Sequence, residues 1–277
     1  MDQLIPVELG TVQETLLITL AGRARESVKP KPILVDPKAV EIMAALDNPS
    51  ASLTRGSRRG PEPTVLRTAI LDTWVREFLA AHPDGTVVEI GTGLNARFER
   101  VDNGRVHWLD LDLADTIALR RHFFTDTERR RMVAASALDD SWFDLVAALP
   151  GPYCFVAEGV LLYLPEAEVR AALTAVAARF PDATVLFDHY SADMMRHQHR
   201  MADKGAMDAR WAWTGGEPES FAAQGLRVTD SRAITDPPPA LRRSLPRGYR
   251  VLLPVLHRVL PKGFGLARFR TDSAPPA

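Results

Sequence analysis

The sequence predicts an α/β protein with a doubly wound, mostly parallel sheet, and three features carry that prediction. The run TVVEI (Thr86–Ile90) is β-branched and apolar and leads straight into Gly91-Thr92-Gly93, which is how such a sheet opens a nucleotide site. Gly91 permits the tight turn, and Gly93 removes a Cβ where a ligand must approach backbone. From there onward, apolar runs of strand length alternate with segments of helical periodicity, the signature of a parallel sheet covered on both faces. Acidic residues recur at the predicted strand ends, in Glu89, Asp110 with Asp112, Asp139 with Asp140, and Glu158. A carboxylate closing an apolar strand at the ligand edge is a functional candidate rather than a core residue.

Composition narrows the class. A chain of 277 residues suits one large α/β domain with additions, or two small domains. Its 34 basic and 35 acidic side chains nearly cancel, so no global basic field argues for nucleic acid. The single cysteine, Cys154, excludes an internal disulfide and a thiolate metal cluster, which suits a reducing compartment. The opening MDQLIPVELG lacks the basic and apolar regions of a secretory signal, and no apolar run approaches the roughly 20 residues of a membrane span. The expectation is a cytoplasmic protein with a small-molecule partner and neither a membrane nor a nucleic-acid partner. His197 and His199 stand two apart, a spacing that points them to different sides of a helix, and no metal site is predicted.

Residues 11–28 carry apolar side chains at helical spacing (Val12, Leu16, Leu17, Leu20, Ala24) and predict an amphipathic helix, broken by Lys29-Pro30-Lys31-Pro32. Asp36 and Pro37, as N-cap and first helical residue, open a second helix through Leu46. The polar, turn-rich segment 48–63 reads as a solvated loop, or alternatively as a lid whose arginines face an anionic substrate. Residues 64–81 form a third helix. These helices precede the sheet and suit a cap over its ligand edge. After Thr86–Ile90 come a second strand at 105–109, a helix at 114–124, a third strand at 132–136, and a fourth at Tyr153–Ala157 continued by VLLYLP at 160–165. A helix at 166–180 and a fifth strand at 183–187 follow, the latter ending in Asp188-His189-Tyr190. The segment 191–213 is rich in Met, His, Arg and Trp and reads either as core or as the wall of an adaptable pocket for a flat apolar substrate. Two closing strands, 225–234 and Phe264–Thr271, flank an irregular, partly helical link.

The glycine turn narrows the ligand. Ala96 stands where a dinucleotide site places its third glycine, and the Lys-Ser/Thr pair of a phosphate loop is missing. Glu89, inside the strand end, repels a pyrophosphate and attracts an ammonium or sulfonium. S-adenosylmethionine is such a cation. An acid roughly 20 positions past the turn, Asp110 or Asp112, suits ribose hydroxyls, the alternative being that either caps the next helix. A nicotinamide-dependent oxidoreductase would use the same turn, but the missing glycine and Glu158 count against it.

The segments GTGLNAR after VVEI, DLDLADTIALRR and VAEGVLLYLP, with ETLLITLAGRARES and ILVDPKAV before them, resemble the leucine carboxyl methyltransferase family. The N-terminal segments look like its bacterial branch of tetracenomycin-type polyketide carboxyl O-methyltransferases. The resemblance runs from about Glu14 to the last strand. It implies a class I S-adenosylmethionine-dependent methyltransferase fold, a Rossmann-like seven-stranded sheet. An N-terminal helical cap (1–81), a methyltransferase domain (82–271) with an insertion after the fifth strand (191–213) and a disordered tail (272–277) go with it. It further implies that Arg67 meets the methionine carboxylate of the cofactor, where a guanidinium suits a bidentate clamp. Gly91, Gly93, Glu89 and Asn95 form the turn, Asp112 beside Asp110 takes the ribose, Leu138 with Asp139 meets adenine, and Glu158 takes the methionine amino group. Arg97 is placed near the site without a firm role. The implied reaction is methyl transfer to oxygen of a small polyketide-type carboxylate or phenol. A carboxylate needs no base, whereas a phenol does, and His189 is the imidazole at a predicted strand end, with Tyr190 beside it as a substrate contact. Carboxyl methylation of a protein C-terminus and a non-catalytic adenosylmethionine-binding module are the alternatives. Replacing Glu158 with alanine is expected to weaken cofactor binding without unfolding the protein.

Overall fold

The computed structural model describes residues 4–7, 9, 15–47, 62–204, 209–259 and 263–273. Outside them lie residues 11–14 of the first predicted helix, 48–61 of the loop read as a lid, 205–208 of the insertion with Met207, and 274–277 of the tail. In chain order come β1 (Ile5–Pro6), α1 (Leu16–Ser27), α2 (Pro37–Ala45), β2 (Leu46–Asp47) and α3 (Pro63–Ala81). Then follow β3 (Thr86–Ile90), α4 (Arg97–Val101), β4 (His107–Asp112), α5 (Ala114–Arg120), β5 (Arg130–Ala134), α6 (Phe143–Ala147), β6 (Tyr153–Ala157), α7 (Glu166–Arg179) and β7 (Thr184–Tyr190). Last are α8 (Ala192–Asp203), β8 (Leu226–Ala233), α9 (Pro239–Ser244), α10 (Arg247–Val259) and β9 (Phe264–Thr271).

Local chemistry sets the helix starts. The Asp36 carboxylate accepts the Ala39 amide at 2.9 Å with Pro37 at the first helical position of α2, and Ser191 accepts the Met194 amide to start α8. The short strands β1 and β2 pair in parallel and tie the N-terminal segment to the end of α2.

The main sheet has seven strands in the order β5-β4-β3-β6-β7-β9-β8, parallel except for β9, which runs antiparallel to both β7 and β8. The chain leaves β3 toward β4 on one side and returns to β6 on the other. The C-terminal end of β3 is therefore the switch point where a crevice opens. Strand alternation divides the core into two layers. Val87, Trp108, Cys154, Val156, Leu186 and Leu266 pack against α3 and against Leu241 and Leu253 of the last helices. Val88, Leu109, Phe155, Ala157, Phe187 and Phe269 pack on the other face against α6 and α7. Each buried Val, Leu or Phe among them contributes roughly 1.5–3 kcal/mol by leaving water. The helices α1 and α2 belong to a third cluster with Leu94, Ile117 and Phe124, at the edge above β3 and β4.

Several predicted boundaries move. The second strand starts later and runs on to Asp112, the third lies two residues earlier at Arg130–Ala134, and the helix expected to reach Phe124 stops at Arg120. VLLYLP does not continue the fourth strand, because Gly159 turns the chain at φ +69° into a 3-10 turn at Leu161–Tyr163. The fifth strand extends through Tyr190, since β9 pairs with it as far as Phe264.

Candidate active site

A cleft of about 550 Å³ opens at the C-terminal edge of β3, floored by Gly91 to Asn95 and walled by α1, α3, the turn after β6 and the end of β7. Gly91 and Gly93 both hold positive φ (63° and 51°), and a Cβ on Gly91 would stand 2.2 Å from Val160 Cγ2. The turn thus requires glycine for conformation and for space.

A continuous set of buried ion pairs lies under the cleft. Arg97, fully buried, donates to Asp72 at 2.8 Å, to Glu89 at 2.5 Å and to Glu158. Glu158, its side chain 6% exposed, also takes Arg67 Nε at 3.0 Å and the Thr68 hydroxyl at 2.6 Å. Burial opposes its charged form, but Arg67 and Arg97 hold it down at about 2. Arg67 further donates through Nη1 to Asp188 at 3.0 Å and to the Tyr190 hydroxyl at 2.9 Å. Its Nη2 has no hydrogen-bond partner among the described residues. Asn95 bridges Glu89 and Glu158 through its amide and receives Arg100 on its oxygen at 2.9 Å. Glu89 differs from Glu158. Its Oε2 is buried without a partner, and burial raises its carboxyl to about 7 against the pull of Arg97, with Asp110 and Glu158 pushing the same way as burial.

Of the sequence-predicted residues, Arg67, Glu89, Gly91, Gly93, Asn95, Asp112, Glu158 and Tyr190 line this cleft. Asp112 accepts the Gly93 amide at 2.7 Å and the Leu113 amide at 2.8 Å, and burial raises its carboxyl. Three expectations are corrected. Asp110 sits two residues inside the longer strand, pairs with Arg130 at 2.6 Å and Arg120 at 3.0 Å, and accepts the Thr92 hydroxyl; it braces the turn and does not face the cleft. Leu138 and Asp139 also lie off the cleft, because β5 ends early and Ala135, Ser136 and Ala137 form that wall instead. His189 is absent from the cleft because alternation in the extended β7 turns Asp188 and Tyr190 to one side and His189 to the other, where its ring lies against Gly265. Burial lowers its pKa despite Asp188.

The mouth is aromatic. Tyr190 stands 4.4 Å from Trp211 and 4.6 Å from Phe264 between ring centroids, with Met194 and Tyr163 also lining the cleft. The insertion therefore divides, with Met194 and Trp211 at the cleft and Trp213 in the core against Phe221. Sequence reading missed Arg23, Asp72, Arg100 and Asp188. Arg67 and Asp72 within the otherwise apolar TVLRTAILDTWV were the available signal for a buried charge system. Nothing in the local sequence marks Arg23, which reaches Asp36 and the Leu94 carbonyl, each at 3.0 Å.

A seven-stranded sheet of this order with one antiparallel strand, opening at a glycine turn backed by acids, defines a class I S-adenosylmethionine-dependent methyltransferase fold. Residues 16–177 match the family described as leucine carboxyl methyltransferase, and the chain belongs to that family. It is an S-adenosylmethionine-dependent methyltransferase. The chain is 33% identical over 235 residues to the tetracenomycin polyketide synthesis O-methyltransferase TcmP of Streptomyces glaucescens, covering 84% of this chain and 86% of that protein. It is 27% identical over 194 residues to the S-adenosyl-L-methionine-dependent methyltransferase dpfgK of Gibberella zeae, 65% of each chain. Among solved structures, the N-methyltransferase NodS of Bradyrhizobium japonicum in complex with S-adenosyl-L-homocysteine aligns with a TM-score of 0.48 at 13% identity, over 95% of this chain and 99% of that one. No helix among the described residues is long and apolar enough to cross a membrane.

Proposed function

We propose that the protein methylates a carboxylate oxygen of a small, flat, apolar acid of the polyketide type. The observation that carries this reading is an aromatic mouth over a cleft in which no imidazole lines the wall among the described residues. A carboxylic acid is already ionised at neutral pH, whereas a phenol needs a base to lose its proton. Tyr190 does not supply one: burial and Asp188 hold its hydroxyl well above the usual range, and it donates to Asp188. The similarity to TcmP, whose name places it in polyketide synthesis, supports the same acceptor class.

The cleft residues fit S-adenosylmethionine. Glu89 Oε2 is a buried oxygen without a partner, suited to a cation, and the Gly91 turn leaves a cradle that a side chain would fill. Arg67, with Nη2 free of described partners, is assigned to the methionine carboxylate, Glu158 to the amino group and Asp112 to the ribose. The cofactor supplies an electrophilic methyl group on a sulfonium. The protein's part is then positioning and exclusion of water. Trp211, Phe264 and Met194 stack and desolvate the acceptor, while the Arg67, Arg97 and Glu158 pairs hold the cofactor end rigid. Within this reading the chain divides into a cap (1–81), a methyltransferase domain (82–271) and a substrate-side insertion (191–213), although α3 packs on the sheet face rather than apart from it.

The test is a reaction with a hydroxynaphthoic acid that carries both groups, using S-adenosylmethionine with an isotopically labelled methyl. A base-labile methyl ester is the expected product. A methyl ether with no ester would overturn the carboxylate reading, and no transfer to any acceptor screened would favour a binding module.

A further inference from the structure

Residues 209–217 belong to no helix or strand, yet Trp211 among them lines the cleft. A stretch outside the sheet must still satisfy its peptide groups, and here side chains of α8 do so. Gln198, 5% exposed, donates from its amide nitrogen to the Ala209 carbonyl at 2.5 Å and accepts the Trp211 amide on its oxygen at 3.2 Å. A carboxamide offers a donor and an acceptor in one plane, so a single glutamine serves this segment as a neighbouring strand would. His199 meets the Trp211 carbonyl through Nε2 at 2.9 Å. A carbonyl only accepts, so Nε2 carries the hydrogen. Both peptide groups of Trp211 are thus held by α8. Beyond it, the Leu162 carbonyl accepts the Ala212 and Trp213 amides at 2.8 and 3.1 Å and fixes the other end of the segment.

The three rings of the mouth differ in depth. The Tyr190 hydroxyl accepts from Arg67 at 2.9 Å, and the Phe264 ring centroid lies 6.0 Å from the Arg67 guanidinium carbon. Trp211 stands against Tyr190, and no ring contact or hydrogen bond among the described residues joins it to Arg67 or Glu158. It is the outer ring. Met194, one helical turn before Gln198, brings α8 itself to the cleft, so one helix both lines the mouth and pins the tryptophan beside it.

We propose that Gln198 and His199 are positioning residues that set the place of the Trp211 ring and, through it, the preference for acceptors of two fused rings over one. This rests on the aromatic-acid reading above. An acid with its carboxylate at the cofactor's methyl group covers Tyr190 and Phe264 with its first ring and reaches Trp211 only with a second. Gln198→Met and His199→Leu remove the hydrogen bonds at similar volume, whereas His199→Gln keeps a donor in the place of Nε2. Two measurements on the full chain separate the claims. With 5-fluorotryptophan incorporated and the Trp211 signal assigned by its loss in Trp211→Phe, that signal shifts or broadens in Gln198→Met and His199→Leu and keeps its wild-type position in His199→Gln. Calorimetric titration at saturating S-adenosylhomocysteine then gives hydroxynaphthoic acid an affinity about tenfold lower in the first two variants, the loss of one ring contact, with hydroxybenzoic acid nearly unchanged. Unchanged S-adenosylhomocysteine affinity verifies folding, and His199, at a half-buried position, tests the idea even where Gln198→Met does not fold. An unmoved Trp211 signal in His199→Leu overturns the proposal, as does equal loss of both acids or a His199→Gln that behaves like His199→Leu. Binding of neither acid to the wild type, with the fluorine signal responding as expected, overturns the acceptor class and retains the placement of Trp211 by α8.

Discussion

Glu89 carries the pH dependence at the scale of single residues. Its folded pKa of about 7 lies above the 4.5 of a free glutamate because burial disfavours its charge. A cationic ligand favours the ionised form, so binding releases a proton and affinity rises as pH rises through 7. If Glu89 meets the cation, S-adenosylmethionine affinity increases roughly tenfold between pH 6 and pH 8. Glu89→Gln binds more weakly with no such slope, and calorimetric titration across this range is the check. His189 gives the opposite expectation. Its ring lies outside the cleft, so His189→Gln keeps kcat and its pH profile near wild type; a large fall in kcat alone would return His189 to the reaction. The structure also revises the expectation for Glu158. It compensates two arginines, and Glu158→Ala leaves both short of a partner, with a loss of about 3–5 kcal/mol in stability as well as binding.

The turn after β3 shows which elements were legible. Its conformation is written in local sequence, and Gly91→Ala makes a sharp prediction. A methyl group 2.2 Å from Val160, on a residue at φ +63°, destabilises the fold by roughly 2–4 kcal/mol. Urea unfolding measures that loss, and the thermal shift given by S-adenosylhomocysteine should shrink with it. Element types and their order were readable because periodicity and caps such as Asp36 are local. Strand ends were not, because partner strands set them: β9 draws β7 out to Tyr190, and β5 carries β4 on to Asp112. A shift of even one residue reverses which side chains face the cleft. That is why His189 was misplaced; Asp110 shares its face with Asp112 and lies off the cleft by depth, two residues inside β4, while Glu89 stands on a strand with the expected bounds. The ion pairs under the cleft were less legible still, since Arg97 joins residues from α3, β3 and the turn after β6 that no local pattern relates.

For the whole molecule, the buried carboxylates predict acid sensitivity. Asp72 is opposed by burial, but Arg100 and Arg97 lower it from 3.8 to about 2. A depressed folded pKa gives stability that is present above the unfolded value and lost as pH falls through the folded one. Asp72 alone therefore contributes about 2 kcal/mol that disappears between pH 4 and pH 2, and Glu158 adds a loss of the same sign. The unfolding midpoint should fall steeply over this window, and Asp72→Asn should flatten the slope from an already lower starting value.

The place of β9 in the sheet has a consequence for biosynthesis. The strand latest in sequence lies between β7 and β8 and not at an edge. Until Thr271 has left the ribosome, β7 has no neighbour on one side and β8 has no sheet to join. The nascent chain therefore completes β3 to β7 first and carries an unpaired strand edge until β9 emerges, which leaves it open to pairing with other chains in that interval. Chains ending before Phe264 should accumulate as aggregates even though the glycine turn and every acid of the cleft have already been made.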